Sequence, residues 1–482
     1  MTATKTKPKP LVIPELCKGC GRCIEACPQG CFTLGSEINP ESGLIPVVLD
    51  LEKCNACGLC FTACPEPFGL TPVADIPHPE DVDHEAFMMG EATIRDDHYP
   101  DEIPPQKIPM PDLPPLFIKG TYASAIGALL AGCRHFYGYP ITPSTEGAEL
   151  MAKVLPDLEG TFVQAVSEVA TVNMMYGCGG AGLPCMTFTS SPGFSLMLEG
   201  ISYMIGAEVP GVFVNIMRGG PGLGNIAPEQ SDIKLVSRGL GHGNTHAISL
   251  AASSPQEMLD LTMLAFELTF KYRNPVVLLG DGYLGQISGK VTLPREMVKP
   301  GLPSWAVYGD AEHRKNLICS IALSEKELET HNYKLTDKYQ RMIDNEQRAE
   351  LYRCHDAEVL IIAANTPARM ARGAVGQLRE KGIRAGLFRP ITIWPFPIGL
   401  LLPLLDQVKE IVVVEASNGQ LEDEMRLALS HEHVVDLPLI DHIRHFGGVL
   451  PQLEEIVDHI SKDNLFEDSE KNGNAWKKGG RS

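Results

Sequence analysis

The run Gly211-Val-Phe-Val-Asn-Ile-Met217 passes directly into Arg218-Gly-Gly-Pro-Gly-Leu-Gly224. An uncharged, β-rich segment that opens onto a glycine-rich loop predicts a buried strand with a loop at its carboxyl end. The flanks repeat the pattern. A small-residue helix over 122–131 leads into Gly138-Tyr-Pro-Ile-Thr-Pro-Ser144, and 146–155 reads as helix. Strand 161–165 precedes helix 168–177, and strand 184–189 runs into a loop over 190–194. Helix 255–271 and the apolar strand 275–279 complete the unit. Short apolar strands between amphipathic helices predict an α/β fold with a doubly wound parallel sheet. Ligands of such sheets sit beyond the carboxyl ends of the strands. The informative loops are therefore those at 139–144, 190–194 and 218–224, with Glu168 at a helix start just after an apolar strand.

A second α/β unit begins with strand 358–364 and continues as helix 368–381, strands 384–388 and 411–414, and helix 420–429. Between the two units, 300–356 is a polar connector ending in a charged helix over 335–352. Residues 67–116 carry recurrent proline, which sustains neither a helix nor a central strand and reads as an extended connector along the next domain's surface. The expected divisions are 1–66, 67–116, 117–299, 300–356, 357–462 and a polar, mobile tail over 463–482.

The first division is set by cysteine. Nine of the 14 cysteines lie between Cys17 and Cys64, in two matching strings. These are Cys17-x2-Cys20-x2-Cys23-x3-Cys27-Pro28 and Cys54-x2-Cys57-x2-Cys60-x3-Cys64-Pro65. This is the bacterial ferredoxin run, in which three close thiolates hold one 4Fe-4S cube and the fourth, before proline, ligates the other. One cluster would take Cys17, Cys20, Cys23 and Cys64; the other would take Cys54, Cys57, Cys60 and Cys27. Zinc is the rival, but its four-thiolate sites come as two separated pairs without a trailing proline. Gly19, Gly21, Ala56 and Gly58 suit backbone N–H groups that turn toward sulfur. Cys31 fits neither string and reads as packing, and the five later cysteines read as buried free thiols.

The chain has 482 residues with net charge −19, which argues against a nucleic-acid partner. It has no apolar run long enough for a membrane span and no secretory signal, so a cytoplasmic location is expected.

The loops Tyr139-Pro-Ile-Thr-Pro143, Ser190-Ser-Pro-Gly-Phe-Ser195 and Arg218-Gly-Gly-Pro-Gly-Leu-Gly224, in that order, resemble the α subunit of 2-oxoacid:ferredoxin oxidoreductases. The resemblance runs from Phe117 to the end of the second α/β unit. It implies a pyrimidine-binding domain, a transketolase-C-terminal-like α/β domain, and, before them, a small ferredoxin-like α+β domain. It also implies a thiamine-diphosphate enzyme that converts a 2-oxoacid and coenzyme A to acyl-CoA and CO2, passing electrons singly through two 4Fe-4S clusters to ferredoxin or another acceptor. The run Gly222-Leu-Gly-Asn-Ile-Ala-Pro-Glu-Gln230 most resembles the branch acting on 2-oxoisovalerate. The alternatives are a 2-oxoglutarate or aryl 2-oxoacid (phenylglyoxylate, indolepyruvate) enzyme, or a non-catalytic electron-transfer subunit.

By position, Glu168 matches the acid that holds the cofactor's aminopyrimidine, where a carboxyl promotes loss of the thiazolium proton. Thr142 and Arg218 match the residues that hold the substrate carboxylate. Tyr139, Pro140, Ile141, Ser191 and Gly193 match loop positions around the cofactor. Taken singly, Glu168 is a helix-dipole charge, Thr142 a turn residue and Arg218 a surface cation; order and spacing favour the functional reading. Ser191 departs from the glycine usual in the family. Gly280-Asp281-Gly282 starts like a motif for Mg2+ and diphosphate, but no asparagine follows between Tyr283 and Lys315, so it reads as a strand-end turn. The resemblance therefore implies a β subunit that holds most of the thiamine diphosphate and its Mg2+, together with a γ subunit. His242 and His246 read as loop histidines.

Overall fold

The computed structural model describes residues 9–66, 69–72, 100–310, 312–313 and 316–470. The chain divides into two compact units, Met1–Asp97 and His98–Ser482.

The smaller unit is a duplicated α+β design. Strand Pro10–Val12 pairs antiparallel with Leu70–Pro72, and Phe32–Leu34 pairs antiparallel with Val47–Leu49. Two five-residue helices, Arg22–Ala26 and Leu59–Ala63, each start after a glycine in the left-handed region, Gly21 and Gly58. Cys23 and Cys60 occupy equivalent buried positions on them. The unit's small core adds Cys31, Phe32, Val47 and Leu70. Its apolar content is modest, which suits a fold that relies on bound groups as well as burial.

In the larger unit a seven-stranded sheet has the order Thr392–Trp394, Ile248–Ala251, Pro275–Asp281, Gly211–Met217, Cys185–Thr189, His135–Gly138, Thr161–Gln164. All neighbours are parallel except Thr392–Trp394, which runs antiparallel to Ile248–Ala251. The central strands Gly211–Met217 and Pro275–Asp281 are buried at all seven positions, as their unbroken apolar runs require. Phe136, Phe188, Phe194 and Phe213 are wholly buried between sheet and helices; each contributes roughly 1.5–3 kcal/mol of burial. A five-stranded sheet follows in the order Ala349–Tyr352, Ala385–Pro390, Val359–Ile362, Glu410–Glu415, Leu439–Arg444, with Ala349–Tyr352 antiparallel.

Several local expectations change. Residues 191–194 are not loop but the first turn of helix Ser191–Gly206, because Pro192 presets helical φ in a first turn that needs no proline N–H. The charged helix lies at Glu325–Asn345, while Ala349–Tyr352 is a strand. Leu335, Tyr339 and Met342 form that helix's buried stripe, and the charged residues before them are its solvated first turns. Strands Ile248–Ala251, Thr392–Trp394 and Leu439–Arg444 were not expected. Helix Leu453–Glu470 runs into the stretch read as tail; residues 471–482 lie outside the described residues. So does most of the proline-rich connector. Its later part makes two antiparallel ribbons, Gln106–Pro109 with Glu296–Lys299 and Leu116–Lys119 with Ser288–Val291. Cys319 is exposed rather than buried, whereas Cys133, Cys178, Cys185 and Cys354 are buried. Among the described residues no helix is long and apolar enough to cross a membrane.

Candidate active site

The loops singled out above emerge side by side at the carboxyl ends of adjacent parallel strands. His135–Gly138 feeds residues 139–144, Cys185–Thr189 feeds helix Ser191–Gly206, and Gly211–Met217 feeds Arg218. The edge strand Thr161–Gln164 leads to helix Glu168–Gly180, capped by the Ser167 hydroxyl, which accepts from the Ala170 N–H at 3.2 Å.

Glu168 is the first residue of that helix and only 4 % exposed. Its carboxylate makes no hydrogen bond or ion pair among the described residues. It lies against Gly193: a Cβ built there would stand 2.4 Å from Glu168 Oε1 and 2.5 Å from Thr189 Oγ1. Glycine lets the carboxylate sit this close, because a larger residue would displace the Glu168 carboxylate and the Thr189 hydroxyl. A buried, unpartnered carboxylate is costly unless it serves a bound group, and a group with a protonatable nitrogen is one that such an acid would hold. Thr189 Oγ1 and Ser190 Oγ are likewise buried without partners.

Arg218 is half-buried and reaches back across the site. Its Nη1 donates to the Thr142 carbonyl at 2.6 Å and its Nη2 to the Leu223 carbonyl at 3.3 Å, while Nε is buried without a partner. It is thus the Thr142 carbonyl, not its hydroxyl, that meets the arginine; the hydroxyl is left free to meet a ligand. The Arg218 N–H donates to Ser191 Oγ at 3.0 Å. The first turn of helix Ser191–Gly206 is therefore the hub: Ser191 touches Arg218, and Gly193, two residues on, touches Glu168. Ile141 accepts the backbone N–H and hydroxyl of Ser144 at 3.0 and 2.8 Å, which shapes the loop. Tyr139 and Pro140 are exposed at the start of this loop.

Beside Arg218 opens a cavity of about 480 Å3, walled by the glycine-rich loop, Ser191, Glu229, Asp232 and, from the loops that follow two strands of the second sheet, Asn418 and Phe446. Glu229 holds this wall in shape, accepting the N–H groups of Gly220 and Gly447, each at 3.1 Å. Asp232 accepts from Asn215 Nδ2 at 2.8 Å, and burial raises its carboxyl above its ordinary value. Neither Asn215 nor Asp232 was marked by the sequence, since neither belongs to a glycine-rich loop; Glu229 lies within the quoted run 222–230. Of the loop histidines, His242 is exposed, and His246 stacks on Trp394 with ring centroids 4.6 Å apart.

Asp281 is an N-cap. Its carboxylate accepts from the backbone of Tyr283 and Leu284 at 3.1 and 2.9 Å, and from the Thr366 N–H and hydroxyl at 2.9 and 2.8 Å. Fully engaged, it does not fit a Mg2+ site, in keeping with a strand-end turn.

In the small unit, Cys17, Cys20, Cys23 and Cys64 line one cavity. Backbone N–H groups point at sulfur from Val47 to Cys17, Ala56 to Cys54 and Cys31 to Cys27, each at 3.4 Å. Four thiols around a cavity, with the Val47 N–H aimed at the Cys17 sulfur, fit a cube of iron and sulfide. Among the described residues no three His, Cys, Asp or Glu side chains converge on a point where a single ion would be held.

Three family models match in chain order. They are a 4Fe-4S dicluster domain over 16–67, the thiamine-diphosphate-binding domain of pyruvate flavodoxin/ferredoxin oxidoreductase over 126–353, and core domain II of pyruvate:ferredoxin oxidoreductase over 357–456. The ketoisovalerate oxidoreductase subunit VorB of Methanothermobacter thermautotrophicus is 46% identical over 345 residues, covering 71% of this chain and 96% of that one. The 2-oxoglutarate synthase subunit KorA of Methanocaldococcus jannaschii is 37% identical over 366 residues, covering 70% and 97%. The solved 2-oxoglutarate:ferredoxin oxidoreductase of Magnetococcus marinus superposes with a TM-score of 0.66 at 25% identity, covering 72% of this chain and 65% of that one. The chain belongs to the 2-oxoacid:ferredoxin oxidoreductases, as an α-type catalytic subunit with thiamine-diphosphate-binding domains and its own two-cluster 4Fe-4S domain.

Proposed function

We propose that this subunit supports the CoA-dependent oxidative decarboxylation of a branched-chain 2-oxoacid, of which 2-oxoisovalerate is the type, to acyl-CoA and CO2. The observation that carries the reading is the first turn of helix Ser191–Gly206, which meets Glu168 through Gly193 and Arg218 through Ser191. Bound thiamine diphosphate supplies the nucleophile and electron sink for the reaction. Glu168 holds a proton at the aminopyrimidine nitrogen. Arg218, through its unpartnered Nε and remaining N–H groups, holds the substrate carboxylate with the Thr142 hydroxyl until it leaves as CO2. Tyr139, Pro140, Ile141, Ser191 and Gly193 wall the cofactor. The similarity to VorB over 71% of the chain supports the branched-chain substrate.

Because Asp281 is a cap, Mg2+ and the diphosphate fall to a β subunit. Exposed apolar side chains support its docking at the carboxyl-end face: Tyr139, Val166, Val169, Leu196, Leu223 and Ile226 lie in the loops and the first two helical turns there. A γ subunit completes the complex. Cys17, Cys20, Cys23 and Cys64 would hold one cube and Cys54, Cys57, Cys60 and Cys27 the other, and such cubes would supply one-electron transfer toward ferredoxin.

In the assembled complex, E168Q is expected to lower 2-oxoacid-dependent ferredoxin reduction by about 10^2-fold or more; unchanged turnover sinks the catalytic reading. A panel of 2-oxoisovalerate, 2-oxoglutarate, phenylglyoxylate and indolepyruvate is expected to give the highest kcat/KM with the first. For the clusters, about eight iron and eight sulfide per chain are expected, and stoichiometric zinc instead would exclude the cubes.

A further inference from the structure

The glycine-rich loop that starts at Arg218 is closed at its base and seated on the second α/β unit. Arg218 bridges Pro228 in the antiparallel sense, the Gly219 N–H donates to the Ala227 carbonyl at 2.9 Å, and the Asn225 N–H donates to the Gly219 carbonyl at 3.0 Å. Gly447, in the turn that follows strand Leu439–Arg444, is gripped at both of its backbone polar groups. Its N–H donates to Glu229 Oε2 at 3.1 Å, and its carbonyl accepts from Asn225 Nδ2 at 2.9 Å. The same Glu229 oxygen accepts the Gly220 N–H at 3.1 Å, so one buried carboxylate joins the loop to the second unit.

Gly447 and Gly448 both lie in the left-handed region, at φ 69° and 96°. Two such residues in a row call for glycine and cost backbone entropy. What the turn encloses is Ala227. A Cβ built on Gly448 would stand 2.5 Å from Ala227 Cβ, and one built on Gly282 would stand 2.9 Å from the Ile226 carbonyl oxygen. Residues 226–228 are thus packed between a glycine of the first α/β unit and one of the second, with no room to shift toward either. Arg218 depends on this loop twice. Its backbone is bridged to Pro228, and its Nη2 donates to the Leu223 carbonyl, itself in the loop, at 3.3 Å.

We infer that the Gly447-Gly448 turn is a positioning element: by seating Asn225 and Ala227 it sets the loop that aims the Arg218 guanidinium at the 2-oxoacid carboxylate. The inference rests on the reading of Arg218 given above. It gives the second α/β unit a part in substrate binding that involves no contact with substrate from Gly448. A displaced loop weakens carboxylate binding in ground and transition states alike, so KM for the 2-oxoacid rises more than kcat falls.

G448A has two effects that can be separated. Its methyl group meets Ala227, and alanine is strained at φ 96° whatever the space around it. A227G removes the first effect and leaves the second. In the assembled complex, G448A is expected to raise KM for the 2-oxoacid about five- to tenfold, with a smaller change in kcat, and to lower the thermal midpoint. In G448A/A227G the KM is expected to return to within about twofold of the parent, while the midpoint stays low. N225D, at an exposed position, keeps an oxygen for the Ala227 N–H and loses the donor to the Gly447 carbonyl. It is expected to raise the same KM about threefold or more, and it decides the matter where G448A does not assemble. A parental KM in both G448A and N225D overturns the inference. So does a raised KM in G448A that A227G does not restore, since the rise would then come from strain in the fold and not from the position of the loop. R218Q separates the two levels. If R218Q leaves KM for the 2-oxoacid unchanged, the carboxylate reading itself fails. If R218Q raises it and G448A and N225D do not, only the positioning role fails.

Discussion

The Asp281 carboxylate accepts four hydrogen bonds, two from the helix it caps and two from Thr366 in the second α/β unit. One side chain thus ends a central strand, starts helix Gly282–Gln286 and holds the neighbouring domain. D281A leaves those donors buried and unpaired, at a cost of about 2–4 kcal/mol. The measurable outcome is a lower thermal midpoint with no change in the concentration of Mg2+ that half-activates the complex. A metal role would move the Mg2+ dependence first. The fragment Gly280-Asp281-Gly282 was readable as a turn because its asparagine partners are missing, but Thr366, 85 residues later, could be identified only in the fold. Thr142 carries the same lesson: the residue was legible, yet its carbonyl rather than its hydroxyl meets Arg218, and backbone direction is not written in a motif.

At the level of elements, helix Ser191–Gly206 decides the site. Its proline and glycine read as loop, and only the position of Pro192 in a first helical turn reverses that. The consequence is that Gly193 faces a neighbouring helix start instead of solvent. G193A would put a methyl group 2.4 Å from Glu168 Oε1 and 2.5 Å from Thr189 Oγ1, so the carboxylate must move. Overpacking of this kind costs about 1–3 kcal/mol of stability, whereas on the role proposed for Glu168 activity is expected to fall by about 10^2-fold, because a misplaced acid would lose its proton-holding geometry. Retained iron content and a near-normal circular dichroism spectrum with lost turnover would show that placement, not folding, was damaged. Full activity would mean that Glu168 tolerates displacement. Cys31 was legible as packing: it is buried, and its N–H donates to Cys27 Sγ.

On the scale of the larger unit, the two sheets are knit by the chain itself. Ala385–Pro390 ends in the five-stranded sheet and Thr392–Trp394 joins the seven-stranded one. Arg389 reaches from that crossing to Glu257 and Glu350 at 2.6 and 2.7 Å; the backbone N–H of buried Gln230 donates to the Ala416 carbonyl and its side-chain Oε1 accepts the Ala416 N–H, both at 2.8 Å. Helix Glu325–Asn345 is fastened by Lys338, whose Nζ contacts Glu208 and the Arg273 carbonyl. Burial lowers the Lys338 pKa from 10.5 to about 8. Between those values the unfolded chain keeps a proton that the native lysine has released, so this group makes stability rise with pH across that window. K338M should flatten the rise, on the order of 3 kcal/mol in full, when denaturant midpoints are compared at pH 7.5 and pH 10. Parallel slopes in parent and variant would show that Lys338 ionises normally.

What the amino-acid order determined by itself was whatever depends on neighbours along the chain. The two cysteine strings, the alternation of apolar strand and helix, and the three loops in sequence all rest on short-range spacing and periodicity. What only the tertiary structure decided was which groups meet: Gly193 with Glu168, Arg218 with the Thr142 carbonyl, Asp232 with Asn215, Asp281 with Thr366. It also decided the short strands Ile248–Ala251 and Thr392–Trp394, which have too few residues to show a period and exist because a neighbouring strand offers its hydrogen-bonding edge. Contacts of that kind are made by the closing of a parallel sheet, which places loops far apart in sequence at one end of adjacent strands, and no local pattern encodes the distance between them.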